Sequence, residues 1–253
     1  MKRTALITGA SAGLGAEFAR QLAERGYALV LVARRGDKLE QVAAACASEC
    51  TLIEADLSDP DAPRFIAQHC LDAGLEIDFL VNNAGIAGPD LLRDRDWDEQ
   101  LEFYRLMMIS VAELCHRFVP AMSERGYGRV INVASVAGRI ARSGGCNYGP
   151  SKAYLIALSE ELNLTVRHRG VHVTALCPGF THTDFHATAG MQAQKDAMPG
   201  WLWYRASTVV ADGIAAVERG RAIAISGRLY RWLDPFMQSV WTRRWFMNAA
   251  KSD

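Results

Sequence analysis

Residues 4–15 read TALITGASAGLG, a short apolar run that leads through a glycine-rich turn into a helix-like segment. Glycines at such a turn allow the backbone to approach a pyrophosphate closely, with the phosphates resting on the amides of the helix N-terminus. The spacing is GxxxGxG rather than GxGxxG, and a turn that binds no ligand is the alternative. We expect a dinucleotide site whose turn residues are Gly9, Ser11, Ala12, Gly13, Leu14 and Gly15.

Short apolar runs alternate with amphipathic stretches over the first 180 residues. The runs are continuous, as in parallel strands buried on both faces. No repeat or linker divides residues 1–253, so the pattern predicts one α/β domain with a doubly wound parallel sheet flanked by helices. Predicted strands are Ala5–Thr8, Ala28–Ala33, Thr51–Glu54, Phe79–Val81, Val130–Val133 and Val171–Leu176, with another near 222–226. Predicted helices are 14–25, 37–47, 60–73, 96–122, 148–168 and 207–219.

Composition excludes several classes of function. Basic and acidic residues balance at 28 each, so no electrostatic footprint for nucleic acid is present. The six cysteines form no CxxC pair and no cluster with histidine at zinc spacing, so we expect no metal site and read them as thiols of a reducing cytoplasm. The apolar N-terminal stretch is broken by glycines and charges, which argues against a signal peptide.

The end of the second predicted strand selects the nucleotide. An acidic residue there would bind the ribose 2′-hydroxyl of NAD, but this chain has Arg34 and Arg35, which can pair with a 2′-phosphate. The pattern favours NADP(H) over NAD, with a solvated basic turn as the alternative. After the third strand, Asp56 can accept from the adenine amino group, and Leu57 follows it; Asn83, Ala84 and Gly85 follow the fourth strand. Either position can instead be an ordinary turn.

Ser135, Tyr148 and Lys152 form a candidate catalytic set. Tyr148 and Lys152 are four residues apart, which places them on one face of a helix. A lysine cation near a phenol favours the phenolate and lowers its pKa, so Tyr148 can exchange protons near neutral pH. Ser135 can hold the substrate oxygen. Taken alone, a tyrosine and a lysine at this spacing also occur on ordinary solvated helices.

In this order, the motifs resemble the short-chain dehydrogenase/reductase family over residues 4–226. The matching features are Thr8-Gly9-x3-Gly13-x-Gly15, Asn82-Asn83-Ala84-Gly85, Ser135, Tyr148-x3-Lys152, and Pro178-Gly179 with Thr183. The resemblance implies a Rossmann-type sheet and NAD(P)-dependent interconversion of a carbonyl and an alcohol. It implies that Tyr148 is the acid/base, that Ser135 orients the substrate, and that Lys152 tunes Tyr148 and holds the nicotinamide ribose. Pro178, Gly179, Thr181 and Thr183 would border the nicotinamide, and a homodimer or homotetramer is typical.

Two departures from the family pattern follow. Many family members have an asparagine in the long fourth helix, where the distorted backbone holds a water molecule. This chain has Met107 at that position. We expect a changed proton relay that uses backbone or Ser110, and slower turnover. Pro150 lies between Tyr148 and Lys152, so the helix should start near Asn147, a good N-cap, which places Tyr148 at the positive helix terminus.

Two segments leave the role of their aromatic residues open. Residues 184–206 fit no element and contain Met191, Met198, Trp201, Trp203 and Tyr204, so they form either a lid that contacts an apolar substrate or a loop packed on the protein. The aromatic and basic tail, 229–253, can close a subunit contact, line the pocket or touch a membrane surface, and packing is favoured.

Rival functions also remain. They are an NADPH-binding sensor or scaffold without turnover, an epimerase or dehydratase on the same fold, and an interaction role for the tail.

Overall fold

The computed structural model describes residues 2–141, 143, 146–182 and 203–247. The strands in these ranges are β1 Thr4–Thr8, β2 Ala28–Ala33, β3 Cys50–Glu54, β4 Ile77–Asn82, β5 Gly128–Val133, β6 Val171–Cys177, β7 Thr181–His182, β8 Tyr204–Arg205 and β9 Ile223–Ile225. The helices are α1 Gly13–Glu24, α2 Gly36–Ala44, α3 Ala62–Asp72, α4 Trp97–Tyr104, α5 Ser110–Glu124, α6 Tyr148–Val166, α7 Ala206–Glu218 and α8 Arg228–Gln238.

Seven of these strands form a parallel sheet in the order β3-β2-β1-β4-β5-β6-β9, while β7 and β8 pair separately. The strand order reverses between β1 and β4, and in open α/β sheets ligands bind at the carboxyl ends of the strands beside such a reversal. The predicted doubly wound Rossmann-type α/β fold is therefore confirmed. The glycine turn after β1 lies at this position.

Both faces of the sheet are covered, which explains why the strands are apolar along their whole length. Successive side chains of a strand point to opposite faces. Leu6 lies in a core beneath α3, α5 and α6, whereas its neighbour Ile7 lies in a second core beneath α1 and α7. Because both faces are buried, the central strands lack an alternating polar face.

The long fourth helix is interrupted by a π turn over Arg105–Ile109, which separates α4 from α5. Gly26, Gly74, Gly126 and Gly170 end four segments with positive φ, as helix C-caps require. None of the helices in the described part of the chain is long and apolar enough to cross a membrane.

The segment 184–206, predicted to lack regular structure, ends in two elements. Residues 184–202 of this segment lie outside the described residues, but Tyr204 and Arg205 form a short strand paired with β7, and α7 begins at Ala206. The pairing supplies backbone hydrogen-bond partners that the sequence pattern does not reveal. The described part of the tail, up to residue 247, contains α8 and a short 3-10 turn at Arg243–Trp245.

Candidate active site

The glycine turn after β1 has the geometry of a phosphate-binding loop. Gly9 and Gly13 have φ of 63° and 55°, a left-handed region that disfavours other residues. A side chain at Gly15 would place its Cβ 2.1 Å from the Gly9 carbonyl oxygen. No side chain caps the N-terminus of α1, and its first turn carries no acidic residue. The first amides of α1 therefore suit the pyrophosphate of a dinucleotide, and the turn fits such a cofactor.

Asn83 braces this turn from the end of β4. Its side-chain amide donates to the carbonyl oxygens of Thr8, at 2.9 Å, and Gly9, at 3.2 Å. The Thr8 hydroxyl oxygen accepts from the amides of Asn83 and Ala84 at 3.0 and 3.1 Å. These bonds fix the distance between the carboxyl ends of β1 and β4. Asn83 thus stabilises the cofactor turn from behind, and its amide is already engaged.

The two arginines after β2 have different surroundings. The Arg35 guanidinium donates to the Ser11 hydroxyl at 3.1 Å, across the turn that would carry the adenosine phosphate. Arg34 instead lies 3.5 Å from a carboxylate oxygen of Asp56. Arg35 is therefore held at the glycine turn through Ser11, whereas Arg34 has a competing anion.

Asp56 and Leu57 occupy the turn after β3. One Asp56 oxygen accepts from the amide and the hydroxyl of Ser58, at 2.9 and 2.8 Å. Burial opposes ionisation of Asp56, but the Ser58 hydrogen bonds and Arg34 outweigh it and hold the pKa of the carboxyl below its ordinary value. The Leu57 side chain is buried in the core, so only its backbone can face a nucleotide.

Ser135, Tyr148 and Lys152 meet beyond the carboxyl end of β5. Ser135 precedes a 3-10 turn, Val136–Gly138, and its hydroxyl oxygen accepts from the Ala137 amide at 3.1 Å. The Ser135 and Tyr148 side chains are hydrogen-bonded to each other. The Lys152 ammonium nitrogen lies 5.6 Å from the centre of the Tyr148 ring. The three candidate catalytic groups therefore form one cluster.

The expected lowering of the Tyr148 pKa is wrong for this structure. Burial raises the pKa of Tyr148, and the hydrogen bond with Ser135 only partly offsets this. The buried Lys152 ammonium donates to the Val133 carbonyl oxygen at 2.8 Å, so its charge is directed to the backbone rather than to the phenol. Burial lowers the pKa of Lys152 to about 8.

Helix α6 begins at Tyr148, as predicted, and Pro150 lies in its first turn. Asn147 is the N-cap residue of α6, as predicted, but its side chain makes no bond to the helix amides. Its oxygen accepts from the Tyr104 hydroxyl at 2.8 Å, and its amide donates to Pro89 and Gln100. Asn147 instead ties the start of α6 to α4 and to the loop before it.

Met107 lies in the π turn and is fully buried. Its sulfur accepts from the Ile86 amide at 3.4 Å. A Cβ built on Gly85 would lie 3.2 Å from the same sulfur and 3.7 Å from the Lys152 ammonium nitrogen. The distorted backbone is present without the asparagine. The Ser110 hydroxyl donates to the Leu106 carbonyl at 2.8 Å, so it is engaged within the helix.

The segment after β6 borders the candidate site on its remaining side. Gly179 lies against the ring of Tyr230, which a Cβ at Gly179 would approach to 2.1 Å. The Thr181 hydroxyl donates to the Gly179 carbonyl at 3.1 Å, and the Val136 amide donates to Pro178. The structure therefore places Pro178 against the Ser135 turn, and Gly179 and Thr181 follow it in the chain. Thr183, Met191, Met198 and Trp201 lie outside the described residues.

Three features of the site escape sequence reasoning. A Cβ at Gly138 would lie 2.6 Å from the Lys152 carbonyl carbon, so glycine there lets α6 pack directly on the Ser135 turn. Arg139 binds both carboxylate oxygens of Asp234 on α8, at 2.7 and 2.5 Å. The polar contacts of Asn147 are the third. Of these three features, only the glycine three residues after Ser135 can be recognised in the sequence.

Comparison with known proteins agrees with this geometry. The profile of the short chain dehydrogenase family matches residues 3–194. Nodulation protein G of Rhizobium sp. (strain N33) is 34% identical over 233 residues, covering 89% of this chain and 93% of that protein. The 3-oxoacyl-(acyl-carrier-protein) reductase of Escherichia coli (strain K12) is 30% identical over 240 residues, covering 90% and 97%.

Serine 3-dehydrogenase of Agrobacterium fabrum (strain C58) is 32% identical over 222 residues, covering 85% of this chain and 86% of that one. Among solved structures, a short-chain dehydrogenase from Sphingobium yanoikuyae in complex with NADPH superposes with a TM-score of 0.81 at 27% identity, covering 99% and 98% of the two chains. The chain is an oxidoreductase and belongs to the short chain dehydrogenase family.

Proposed function

We propose that this protein is an NADP(H)-dependent oxidoreductase that interconverts a carbonyl and an alcohol on an apolar small molecule. The observation that carries this is the hydrogen-bonded pair of Ser135 and Tyr148, with Lys152 5.6 Å from the phenol ring, next to a turn shaped for a dinucleotide. The Sphingobium relative that covers nearly the whole chain holds NADPH, which supports the same class of cofactor here.

Tyr148 acts as the acid in the reductive direction. A bound nicotinamide supplies the hydride in that direction and takes it up in the other. Because burial raises the pKa of Tyr148, the phenol stays protonated at neutral pH and can donate its proton to the substrate oxygen. Ser135 holds that oxygen with a hydrogen bond donated by its hydroxyl group. The raised pKa favours the protonated form that reduction requires.

Lys152 serves two purposes in this proposal. Its ammonium nitrogen lies 5.6 Å from the centre of the Tyr148 ring, so it can stabilise a phenolate after proton transfer. With a cofactor bound, the same group would hold the nicotinamide ribose. The side chain must exchange its bond to the Val133 carbonyl for these partners. Because its pKa is about 8, the cation is present at neutral pH and is lost in mildly alkaline solution.

Preference for NADP(H) rests on Arg35. Its guanidinium already contacts Ser11 of the phosphate turn, and both groups can donate to a 2′-phosphate. Arg34 contributes less because Asp56 competes for it. No carboxylate stands at the end of β2 itself to bind a 2′-hydroxyl, which is how NAD is selected.

An apolar substrate is supported by the aromatic border of the site. The Tyr204 and Tyr230 rings lie 6.1 Å apart, and Tyr230 contacts Gly179. Trp203 is buried and packs 5.2 Å from Phe180, so it supports this border from inside the protein.

The proposal is tested by following NADPH absorbance with the purified protein against ketones, aldehydes, β-keto esters and steroids. We expect oxidation of NADPH with at least one apolar carbonyl, and a slower rate with NADH. A protein that binds NADPH but oxidises it with none of these compounds would be a sensor rather than an enzyme, and the proposal would fail.

A further inference from the structure

Helix α8 and the residues that follow it present a large exposed apolar surface, which we call the tail face. Its members are mainly tryptophans that would be buried in an ordinary packed tail. The exposed fractions are 67% for Trp232, 45% for Phe236, 85% for Val240, 82% for Trp241 and 71% for Trp245. The Trp232 and Phe236 rings contact each other 5.6 Å apart, on one side of α8.

The opposite side of α8 is fixed to the catalytic domain. Asp234 pairs with Arg139, Met237 is buried, and Tyr230 packs on Gly179. These positions follow the helical spacing of i, i+4 and i+7, so they share the inner face. The Gln238 amide also donates to the Arg139 carbonyl. The Trp232 and Phe236 rings therefore project outward from a helix that is attached by its other side, and Trp241 and Trp245 follow its end.

The segment that carries the tail face, residues 228–247, is strongly basic. Residues 228–247 contain four arginines and one acidic residue, Asp234, in a chain whose net charge is zero. Asp234 is paired with Arg139, and Arg231 lies 3.7 Å from Asp212. Among the described residues, no carboxylate lies within ion-pair distance of the exposed Arg228, Arg243 and Arg244. Their charges are available to an anionic partner.

We propose that the tail face docks the protein on the surface of an anionic lipid bilayer. Tryptophan inserts at the level of the lipid headgroups, and arginines beside it pair with anionic phosphates. A second copy of this chain fits less well, because a two-fold interface would set the tail face against itself and bring the arginine clusters together. Charge complementarity therefore selects the lipid surface.

Docking would bring the site next to the bilayer. Helix α8 carries the outward Trp232 and the inward Tyr230, which borders Gly179. An apolar substrate dissolved in lipid would then lie close to the Ser135 turn. The docking itself does not depend on the proposed reaction, so it can be tested without any substrate.

The test is sedimentation of the full chain with extruded vesicles of phosphatidylglycerol and phosphatidylcholine in equal parts, against vesicles of phosphatidylcholine alone. We expect the wild type to sediment with the anionic vesicles only, and less so as salt is raised. The R243Q/R244Q variant should lose roughly 25-fold in partition coefficient, as expected for two basic residues near an anionic surface. The W241S/W245S variant should lose at least roughly tenfold.

The matched control is R95Q/W97S, which removes the same residue types from an exposed position at the start of α4. Its vesicle binding should equal that of the wild type. Thermal unfolding confirms that all variants fold, and size-exclusion chromatography reports their oligomeric state. The proposal is overturned if the wild type ignores anionic vesicles or binds neutral ones equally. It is also overturned if the tail variants bind as well as the wild type, or if they change the oligomeric state, which would assign the face to a second copy.

Discussion

The Tyr104 hydroxyl donates a hydrogen bond of 2.8 Å to the side-chain oxygen of Asn147, the residue directly before Tyr148. Asn147 is buried, and its amide donates to Pro89 and Gln100. One side chain thereby holds the first turn of α6 against α4 and the loop that precedes it. The position of Tyr148 depends on contacts that are remote in sequence.

Replacing Asn147 with alanine should lower the free energy of unfolding by about 2 kcal/mol, because several buried polar groups lose their partner. Turnover should fall as well, since the start of α6 is no longer held. Urea denaturation and steady-state kinetics measure the two effects. Tyr104→Phe, which removes one bond, should cost about 1 kcal/mol. An Asn147→Ala variant as stable and active as the wild type would contradict this role.

Replacing Gly138 with alanine should force α6 away from the Ser135 turn. The added Cβ would lie 2.6 Å from the Lys152 carbonyl carbon and 2.7 Å from the Ala153 amide nitrogen, both backbone atoms that cannot move alone. We expect a loss of roughly 1–3 kcal/mol in unfolding free energy, together with reduced turnover. Gly149→Ala meets its nearest atom at 3.2 Å and should cost less. Equal losses in the two variants would show that the close approach at Gly138 is unimportant.

The buried Lys152 should make stability depend on pH. Its pKa is lowered to about 8 in the folded protein from 10.5, so between these values the unfolded chain binds a proton that the folded protein does not. Relative to a Lys152→Met variant, the unfolding free energy of the wild type should therefore rise with pH between about 8 and 10.5, by up to about 3 kcal/mol. Chemical denaturation at a series of pH values measures this difference. A difference that stays constant or falls over this range would refute the assignment.

Arg35 should discriminate between the two nucleotides more than Arg34 does. Arg35→Gln should weaken NADPH binding roughly 10- to 100-fold, the loss of a charge-assisted hydrogen bond, and leave NADH binding nearly unchanged. Arg34→Gln is the matched control and should have the smaller effect, because Asp56 already engages that guanidinium. Calorimetric titration with both nucleotides provides the comparison. If Arg34→Gln has the larger effect, the site has been assigned to the wrong arginine.

The fold was readable because parallel strands buried on both faces leave continuous apolar runs, and glycines with positive φ end the helices. The order of motifs also predicted that Ser135, Tyr148 and Lys152 come together. What the sequence could not predict is set by tertiary contacts: the partners of Asn147, the direction of the Lys152 ammonium group and the burial of Tyr148. The N-cap position of Asn147 follows from local rules, whereas the partners of its side chain belong to other elements.

Met107 illustrates the same limit. The absence of asparagine was visible, but the π turn over Arg105–Ile109 and the contact of the sulfur with the Ile86 amide were not. A π turn depends on how a helix packs against its neighbours, which a local pattern does not encode.

The most direct measurement of the central claim compares wild-type protein with Tyr148→Phe under conditions where the wild type oxidises NADPH with a carbonyl. Phenylalanine keeps the ring and removes the proton that the proposal assigns to the substrate oxygen. Turnover should fall roughly 100- to 10,000-fold, the usual contribution of a general acid, while the affinity for NADPH stays within about threefold. A Tyr148→Phe variant that keeps wild-type turnover would contradict the assignment of Tyr148 as the acid/base.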